Sequence, residues 1–376
     1  MTDDLLGGIF YHLCERGPLS FRHLLFVSRR FYSVAVNNAH LWTTISLDRH
    51  FLVHFHRLPD PGDKFIEQCL LRSGSLPLCL YIDNEDVNEP DATRILHHVE
   101  TFRRPEWRGF QRCISLTWAN WASASPDGHD EAAIQTLVEL LPKSLPSLKT
   151  LSLRNFRDLS GGSQFPNCPV LERVHMSDHQ VSSPHFWGAN FLNVSTLTFG
   201  NLHEWAGHDL ETLSLFPMLH ELILFTTYHR EDLRGVSSRL STEPVHVYEY
   251  IPHMIVTNLA DPIIFEHLHV LRVYGHIPPM ILTNLAAPAL EELHLFADYS
   301  NYTPIDALQI SFNPLCRSIY ALFPKTVSAQ EPEWATKLSK LVEKCTMIES
   351  LHISRWMEKE YKKSMSTGEV VILHVQ

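Results

Sequence analysis

A short apolar phrase recurs through most of this chain and limits the folds that the chain can adopt. The phrase is an apolar residue, two variable residues, a second apolar residue, one variable residue and a third apolar residue. Its first clear copy is Leu148, Leu151 and Leu153, and neighbouring copies begin 22 to 25 residues apart. The other copies begin at these residues: Cys113 (degenerate), Leu171, Val194, Leu219, Leu268, Leu290 and Ile348.

The alternation that ends each phrase predicts a short strand whose two apolar side chains enter a core, while the earlier apolar residue turns in from the preceding loop. One such unit cannot bury its own apolar face, so successive units must stack and their strands form a parallel sheet. A period of about 20–29 residues with this phrase is typical of leucine-rich repeats. The sequence therefore predicts an α/β fold, an irregular leucine-rich-repeat solenoid with a parallel sheet.

One gap in the series is longer than the others. Leu219 and Leu268 lie 49 residues apart, which fits two periods with a weak middle copy at Val245. A longer self-match between residues 252–262 and 278–288, offset by 26 residues, also supports internal repetition. We therefore expect one additional repeat strand near Val245.

The first 47 residues have a different pattern. Thr2 can cap a first helix, and the break at Gly17-Pro18 is followed by a second helix that Ser20 can cap. The apolar residues of the two helices are these: Leu5, Leu6, Ile9, Phe10 and Leu13 in the first, and Leu24, Leu25, Val27 and Phe31 in the second. Leu41-Trp42 then precedes a strand-like segment, residues 43–47. About 45 residues cannot bury this much apolar surface internally, so the segment needs a partner or the rest of the chain.

The order of these features resembles the F-box, a module that docks onto a Skp-type adaptor of cullin-based ubiquitin ligases. The F-box pattern has an apolar pair in its first helix, an Ile-Phe or Ile-Leu one turn later, a core of Val, Ser or Cys, Arg, Arg and Phe or Trp, and a final Leu-Trp. Leu5-Leu6, Ile9-Phe10, residues 27–31 and Leu41-Trp42 match it in order. The resemblance implies that the adaptor contacts these residues: Leu5, Leu6, Ile9, Phe10, Leu13, Val27, Phe31, Leu41 and Trp42.

A joining region, residues 48–110, comes next in the chain. Residues 65–75 favour a helix that ends at Gly74, and residues 76–83 favour a strand. A helix, Arg-Ser-Gly-Ser and a strand in this order are similar to the segment after the F-box in the large F-box families of mushroom-forming fungi, where that segment starts the repeat array. The predicted organisation is an F-box at 1–47, the joining region at 48–110 and repeats at 111–376.

Composition excludes several classes of protein. The net charge of −11 argues against a general nucleic-acid binder, and no apolar run approaches the roughly 18 residues that cross a bilayer. Met1-Thr2-Asp3-Asp4 has the wrong sign for a signal or transit peptide. The 7 cysteines are scattered and form no Cys-x-x-Cys pair. They are typical of reduced thiols, so we expect a cytoplasmic or nuclear protein that binds neither membrane nor nucleic acid.

The sequence contains no catalytic constellation. His203-Glu204-Trp205-Ala206-Gly207-His208 has its second histidine one position too late for a zinc-protease helix. Gly161-Gly162-Ser163 lacks the lysine of a phosphate-binding loop. We expect a non-catalytic protein without a cofactor or metal.

Aromatic residues at or just after the strand phrases are the better binding candidates. Exposed Trp and Tyr side chains there would anchor a target protein, although the same positions also suit core packing. The candidates for target binding are Trp118, Trp121, Trp187, Trp205, Tyr228, Tyr274 and Tyr299.

The resemblance and the repeats together imply a substrate-recognition subunit of a Skp–cullin–F-box ubiquitin ligase. The F-box would hold the adaptor, and through it a cullin, while the repeats would hold an unknown target protein. The alternative is a free-standing repeat scaffold with a decayed F-box. Two departures favour it: the Leu-Pro that usually opens an F-box is missing, and Gly7-Gly8 lies inside the first helix, where each Gly costs about 1 kcal/mol relative to Ala.

Overall fold

A computed structural model describes part of the chain. The described ranges are 2–13, 25–55, 59–83, 89–119, 140–154, 165–177, 191–200, 213, 215–225, 263–274, 285–296, 316–322, 334–345, 347–353, 357–358, 361–362 and 371–374. These residues fall into two compact units. Those up to Val174, with Phe191, belong to the first unit, and the remaining residues from 175 onwards belong to the second.

The first unit combines helices with parallel strands. Its helices are α1 (Asp3–Leu13), α2 (Arg29–Asn37), α3 (Arg49–Phe55), α4 (Pro59–Arg72), α5 (Glu89–Arg103) and α6 (Gly109–Arg112), with a 3₁₀ turn at Ala39–Trp42. Its strands are β1 (Thr44–Leu47), β2 (Leu78–Asp83), β3 (Cys113–Ala119) and β4 (Thr150–Arg154). Because parallel neighbours need a crossover, α3 and α4 connect β1 to β2, and α5 and α6 connect β2 to β3.

Strands β1 to β4 are hydrogen-bonded in chain order, and their core residues line up across the strands. One row is Ile45, Leu80, Leu116 and Leu151, and the next is Leu47, Ile82, Trp118 and Leu153. All eight side chains are buried. The sheet therefore begins at β1, inside the N-terminal segment, and the first unit takes in residues on both sides of the boundary predicted at 110.

Strand β5 (Arg173–Ser177) contains residues of both units. The second unit contains helix α7 (Trp334–Lys344) and these strands: β6 (Thr196–Gly200), β7 (Glu221–Phe225), β8 (Ile263–Ile264), β9 (Val270–Tyr274), β10 (Leu285–Ala286), β11 (Glu292–Phe296), β12 (Ser318–Leu322), β13 (Ser350–Ile353) and β14 (Val371–His374). The order within its main sheet is β6-β7-β9-β11-β12-β13-β14, and β8 pairs with β10 separately.

Every described neighbour pair in the second unit is parallel. The second apolar residue of each phrase is the first apolar residue of its strand, and these residues form one buried row: Leu197, Leu222, Leu271, Leu293, Ile319 and Leu351. The α/β class and the parallel sheet predicted from the phrase are confirmed. Helix α7 precedes β13, and β14 pairs with β13 as the last strand of this sheet.

Two details of the repeat prediction are wrong. Strand β7 is hydrogen-bonded directly to β9, so the expected middle copy at Val245, which lies outside the described residues, contributes no strand between them. Strand β12 was missed. It has the same phrase in Cys316, Ile319 and Ala321, all buried, with a cysteine and an alanine in place of larger apolar residues.

The predicted end of the helix before β2 is confirmed. Gly74 follows α4 with a φ of 59°, in the left-handed region where a side chain is strained. Its neighbour Ser73 is buried and donates a hydrogen bond to Leu70 O over 3.0 Å. Arg112 contacts both Ser73 Oγ and Gly74 O, and so ties this turn to the start of β3.

Candidate interaction surfaces

The N-terminal helices pack against one another around an ion pair and two caps. Thr2 Oγ1 accepts a hydrogen bond from Leu5 N over 3.4 Å, as the sequence predicted, and Asp3 pairs with Arg30 at 2.8 Å. The second helix among the described residues begins later than the predicted one. It begins at Arg29, and its cap is Ser28, whose Oγ accepts from Phe31 N over 3.2 Å. Val27 therefore precedes the helix, and Ser20 lies outside the described residues.

Four residues assigned to the adaptor surface by the sequence form the core of this segment instead. Leu6, Phe10, Leu41 and Trp42 are each at most 3% exposed. The Phe10 ring meets the half-buried Phe31 edge to face at 5.3 Å. Trp42 Nε1 donates to Ala35 O over 2.9 Å, and the Arg72 guanidinium lies 4.3 Å from the Trp42 ring centre. A side chain buried in this way cannot contact an adaptor, so the adaptor prediction is wrong for these four residues. They are buried because the small helices need an apolar core of their own.

Three of the predicted adaptor residues are exposed in spite of their apolar side chains. Leu5 and Val27 are each 61% exposed and Ile9 is 48% exposed. Two neighbours that the sequence did not single out, Phe26 and Tyr32, are 79% and 50% exposed. We call these five residues the exposed apolar set. Leu13 ends α1, and its side chain lies outside the described part.

The pattern of α1 explains the division. Leu5-Leu6 and Ile9-Phe10 form two stripes that lie one residue apart, and only one stripe can face the core. Gly7 is part of this packing, because a Cβ on it would lie 3.0 Å from Asn38 Nδ2. Asn38 in turn caps the 3₁₀ turn by accepting from His40 N over 3.2 Å. Gly7 thus permits a close approach, whereas a Cβ on Gly8 would meet nothing within 4 Å.

A second surface lies on the main sheet of the second unit. Leu271 and Val273 of β9 enter the core, so Val270, Arg272 and Tyr274 project from the opposite face. Strands β7, β11, β12 and β13 are in register with β9, so their side chains alternate in the same way, and His294 on this face of β11 is itself buried. We call the side chains on this face, from β7 to β13, the ladder face.

Three rings stack across the ladder face. His294, Tyr320 and His352 occupy the middle position of β11, β12 and β13 and are in register. The His294 and Tyr320 ring centres are 4.1 Å apart with planes 4° apart, and those of Tyr320 and His352 are 4.0 Å and 8° apart. Both faces of the Tyr320 ring are therefore covered. Stacking at this distance fixes the three side chains in one arrangement.

A second stack joins β9 to β11. The rings of Tyr274 and Phe296 lie 4.5 Å apart with planes 6° apart, and His294 is 6.1 Å from Phe296. Tyr274 is half-buried. Of the predicted target-binding residues, it is the one that the described structure places on the ladder face.

Polar groups surround the stacks. Arg272 on β9 pairs with Glu221 on β7 at 2.8 Å. His294 Nε2 lies 3.1 Å from a Glu292 carboxylate oxygen, and His352 Nε2 lies 3.1 Å from Ser350 Oγ. Ser350 also bonds Ser318 at 3.0 Å. The ladder face is thus a flat row of rings with hydrogen-bonding groups along one side.

The two histidines are held in their neutral form. Burial lowers the pKa of His294, and the bond to Glu292 offsets this only in part. Burial also lowers the pKa of His352. At pH 7 both imidazoles are therefore uncharged, and each can accept as well as donate a hydrogen bond.

The other predicted target-binding residues are not on this face. Trp118 is 2% exposed, in register with Ile82 and Leu153, so the prediction that it contacts a target is wrong. It fills the third apolar position of the phrase, where a core residue is required. Trp121, Trp187, Trp205, Tyr228 and Tyr299 lie outside the described residues.

Sequence reasoning missed His294, Tyr320 and His352, although a signal was present. Each is the single variable residue between two core residues of a phrase. In a parallel, in-register sheet these middle positions become neighbours, so rings at three of them had to meet.

A buried polar cluster in the first unit belongs to helix packing. Asp63 accepts from Thr101 Oγ1 over 3.0 Å and lies 2.7 Å from His98 Nδ1, which joins α4 to α5. Partial burial raises the pKa of Asp63, but the bonds to His98 and Thr101 outweigh it and bring the pKa below its usual value. A Cβ on Gly62 would come within 2.6 Å of the His98 ring, so Gly62 permits the close packing of α4 against His98 of α5.

The described part of the chain has no group of three or more His, Cys, Asp or Glu placed to hold a metal ion. Nor does any helix in the described ranges have both the length and the apolarity that crossing a membrane requires. Comparison of the chain with known protein families and with curated proteins gives no match.

Proposed function

We propose that this protein is the substrate-recognition subunit of a Skp–cullin–F-box ubiquitin ligase, located in the cytoplasm or nucleus. The observation that carries the proposal is the exposed apolar set. Leu5, Ile9 and Val27 match the F-box pattern and remain exposed, although Leu6 and Phe10 of the same segment are buried. Apolar side chains grouped in one small segment in this way are typical of a protein-binding site.

The repeats provide the second half of the proposal. A parallel sheet built from repeats displays one continuous face, and the ladder face carries fixed aromatic and hydrogen-bonding groups on which a target protein can be held. In this scheme the chain itself performs no chemistry. It raises the effective concentration of target lysines near the ubiquitin carrier that the cullin holds.

The state of the cysteines supports a reducing compartment. Cys69, Cys113, Cys168, Cys316 and Cys345 are buried free thiols, and Cys79 is half-buried and free. Burial raises the pKa of Cys113 to about 12, which makes its thiol unreactive.

The test is binding to a purified Skp-type adaptor by the full-length chain and by a Leu5→Asp, Ile9→Asp variant. Each substitution places a charge against an apolar partner surface, and losing two such contacts is worth about 3 kcal/mol or more, over 100-fold in Kd. Because both residues are exposed, the variant should keep its fold. A Leu6→Asp or Phe10→Asp variant would not, since those side chains are core.

The matched control is Val53→Asp, Leu71→Asp. These residues lie on α3 and α4 and are 67% and 59% exposed, so the chemical change is the same outside the exposed apolar set. We expect wild-type affinity from the control. Equal losses in both variants would contradict docking through the exposed apolar set. A well-folded wild-type chain that binds no adaptor would overturn the proposal and leave the free-standing repeat scaffold.

A further inference from the structure

Two buried cysteines of the second unit lie against each other. Cys316 comes two residues before β12, and Cys345 directly follows α7. They are 1% and 3% exposed, and both are free thiols. The Cys316 thiol donates a hydrogen bond to the Cys345 sulfur. Two thiols in contact within one folded unit have the arrangement from which a disulfide bond can form without unfolding of the chain.

The repeat explains why the residues at these two positions are buried. Cys316 is the first apolar residue of the phrase that continues with Ile319 and Ala321. Cys345 begins the turn before the next phrase, in which Ile348 N donates to Cys345 O over 3.3 Å. The same turn precedes other phrases, and its first residue is buried in each of these: Leu145, Cys168, Phe216, Phe265 and Ala287. Both positions therefore belong to the core.

Packing alone does not require sulfur at either position. One repeat earlier, Leu290 takes the position of Cys316 and Ala287 takes that of the turn residue Cys345, and both are buried. Apolar side chains without sulfur are thus sufficient for this part of the core. A thiol at each of two contacting positions adds a reaction that Leu and Ala do not have.

The place of the two cysteines in the backbone allows the sulfurs to approach each other. A disulfide bond is about 2.05 Å long, so two hydrogen-bonded sulfurs must still move closer together. Cys316 lies in the connection between β11 and β12, and Cys345 lies in the turn between α7 and β13. A small shift of these connections leaves the paired residues of β12 and β13, which begin with Ser318 and Ser350, in register.

The hydrogen bond between the thiols gives them different chemical roles. That bond and burial both raise the pKa of Cys316, which donates the proton. The same bond lowers the pKa of Cys345, although burial opposes it. Because the thiolate is the nucleophile, Cys345 is the sulfur that attacks an oxidant first, and Cys316 is placed to react with the product.

We propose that Cys316 and Cys345 form a reversible disulfide bond when hydrogen peroxide oxidises the chain, and that this bond links the repeat of β12 to the repeat of β13. The Cys345 thiolate attacks one peroxide oxygen and the O–O bond breaks. Cys345 becomes a sulfenic acid, and the hydroxide that leaves takes up the proton that Cys345 lost.

The second step closes the bond. The Cys316 sulfur attacks the sulfur of the Cys345 sulfenic acid, the S–O bond breaks, and the hydroxide leaves as water with the proton of Cys316. Both sulfurs together lose two electrons, and the peroxide is reduced to water. A dithiol restores the two thiols by exchange. The thiols stay reduced in a reducing compartment until peroxide appears, which agrees with the proposed location.

The test is disulfide mapping of the folded full-length chain after treatment with a molar excess of hydrogen peroxide. Denaturation in iodoacetamide blocks the remaining thiols before they exchange. The tryptic peptides 273–317 and 345–355 contain Cys316 and Cys345, respectively, as their only cysteines. We expect mass spectrometry to find these two peptides linked in most of the molecules, and dithiothreitol should separate them.

Single substitutions test the two roles. Cys316→Ala should leave Cys345 as a sulfenic acid that dimedone traps, whereas Cys345→Ala should leave Cys316 as a thiol. The matched control is Cys69→Ala in the first unit, where the thiol is 0% exposed. It should form the Cys316–Cys345 link to the wild-type extent. Circular dichroism of each reduced variant checks its fold.

Thermal unfolding gives a second measurement. The bond closes the loop from Cys316 to Cys345 and so lowers the entropy of the unfolded chain, and the oxidised wild-type chain should unfold about 5 °C higher than the reduced chain. Peroxide treatment should not raise the Tm of Cys345→Ala, which cannot form the bond. An equal rise in that variant would contradict the assignment.

Two results of the mapping would overturn this inference: no linked peptide from the folded chain, or links between other cysteines at the same yield. Failure of the proposed function is distinguishable, because none of these measurements contains an adaptor. The Leu5→Asp, Ile9→Asp variant should form the Cys316–Cys345 link as the wild-type chain does.

Discussion

The two units build their sheets on the same apolar pattern and present different faces. In the first unit the middle positions of β2, β3 and β4 are Tyr81, Thr117 and Ser152, which gives two small hydroxyl side chains in a row of three. In the second unit the middle positions of β9, β11, β12 and β13 carry a longer set of large side chains, namely Arg272, His294, Tyr320 and His352. The core rows on the other side are apolar in both units.

The difference teaches that core and face vary independently in this fold. Side chains alternate across each strand, so the apolar phrase constrains only every second position. The positions between are free to differ, and they do so within the second unit as well, where β6 and β7 carry Thr198 and Ile223 and β11, β12 and β13 carry rings. Large rings concentrated in the second unit therefore reflect a local requirement rather than a requirement of the fold.

The largest effect should come from substitutions in the apolar row that each unit buries. Leu116→Ala in β3 and Leu293→Ala in β11 remove fully buried side chains at equivalent positions. Each should lower the free energy of unfolding by about 2–5 kcal/mol. Urea denaturation followed by circular dichroism measures both. A loss confined to one variant would show that the two sheets do not depend equally on the phrase.

A smaller loss of stability should distinguish the middle positions of the two units. Tyr320→Val removes two ring stacks, each worth about 0.5–1.5 kcal/mol beyond area burial, so we expect a loss of about 1–3 kcal/mol. Thr117→Val changes the equivalent position of β3 and should stay within about 0.5 kcal/mol. The same urea titrations compare them. Similar losses from both substitutions would mean that the stacks add nothing to the sheet.

The smallest effect should appear in the dependence of stability on pH. The pKa of His294 is lowered, so the unfolded chain binds its proton first, and stability falls as the pH decreases below about 6.5. The pKa of Asp63 is also lowered, but its contribution is lost only below its ordinary value of 3.8. Between pH 7.5 and pH 5 the free energy of unfolding should therefore fall less in His294→Gln than in wild type. An Asp63→Asn variant should be less stable than wild type throughout that range, because it loses the charged acceptor of the bonds from His98 and Thr101.

Much of the sheet was predictable because the core repeats in sequence. A Leu-x-Leu phrase such as Leu151 to Leu153 identifies a strand, since a stacked repeat needs at least two buried positions per strand. Strand β12 was not predicted because Cys316 and Ala321 are weakly apolar. A small side chain nevertheless fits the buried row of the sheet as well as a large one. The middle copy near Val245 failed because spacing alone cannot distinguish a repeat from a long connection.

The candidate surfaces were only partly predictable. The F-box pattern predicted that Leu5, Leu6, Ile9 and Phe10 all contact the adaptor. A pattern of apolar residues cannot tell which of the two stripes on the helix faces inward. Packing against Phe31 decided it. On the sheet, attention to aromatic residues at the ends of phrases found Tyr274 and missed Tyr320, because the contact that makes Tyr320 significant joins three strands far apart in sequence.

The register between strands β7, β9 and β11 has a consequence for changes in chain length. Residues 226–269 connect β7 to β9, whereas only residues 275–291 connect β9 to β11, yet Glu221, Val270 and Glu292 are paired in one row. A connection can therefore grow or shrink without moving a single side chain from one face to the other, whereas one residue added inside a strand would exchange the two faces. Loop grafting between strands is thus compatible with this sheet, and the segment after Phe225 is the first place at which to insert a foreign binding sequence.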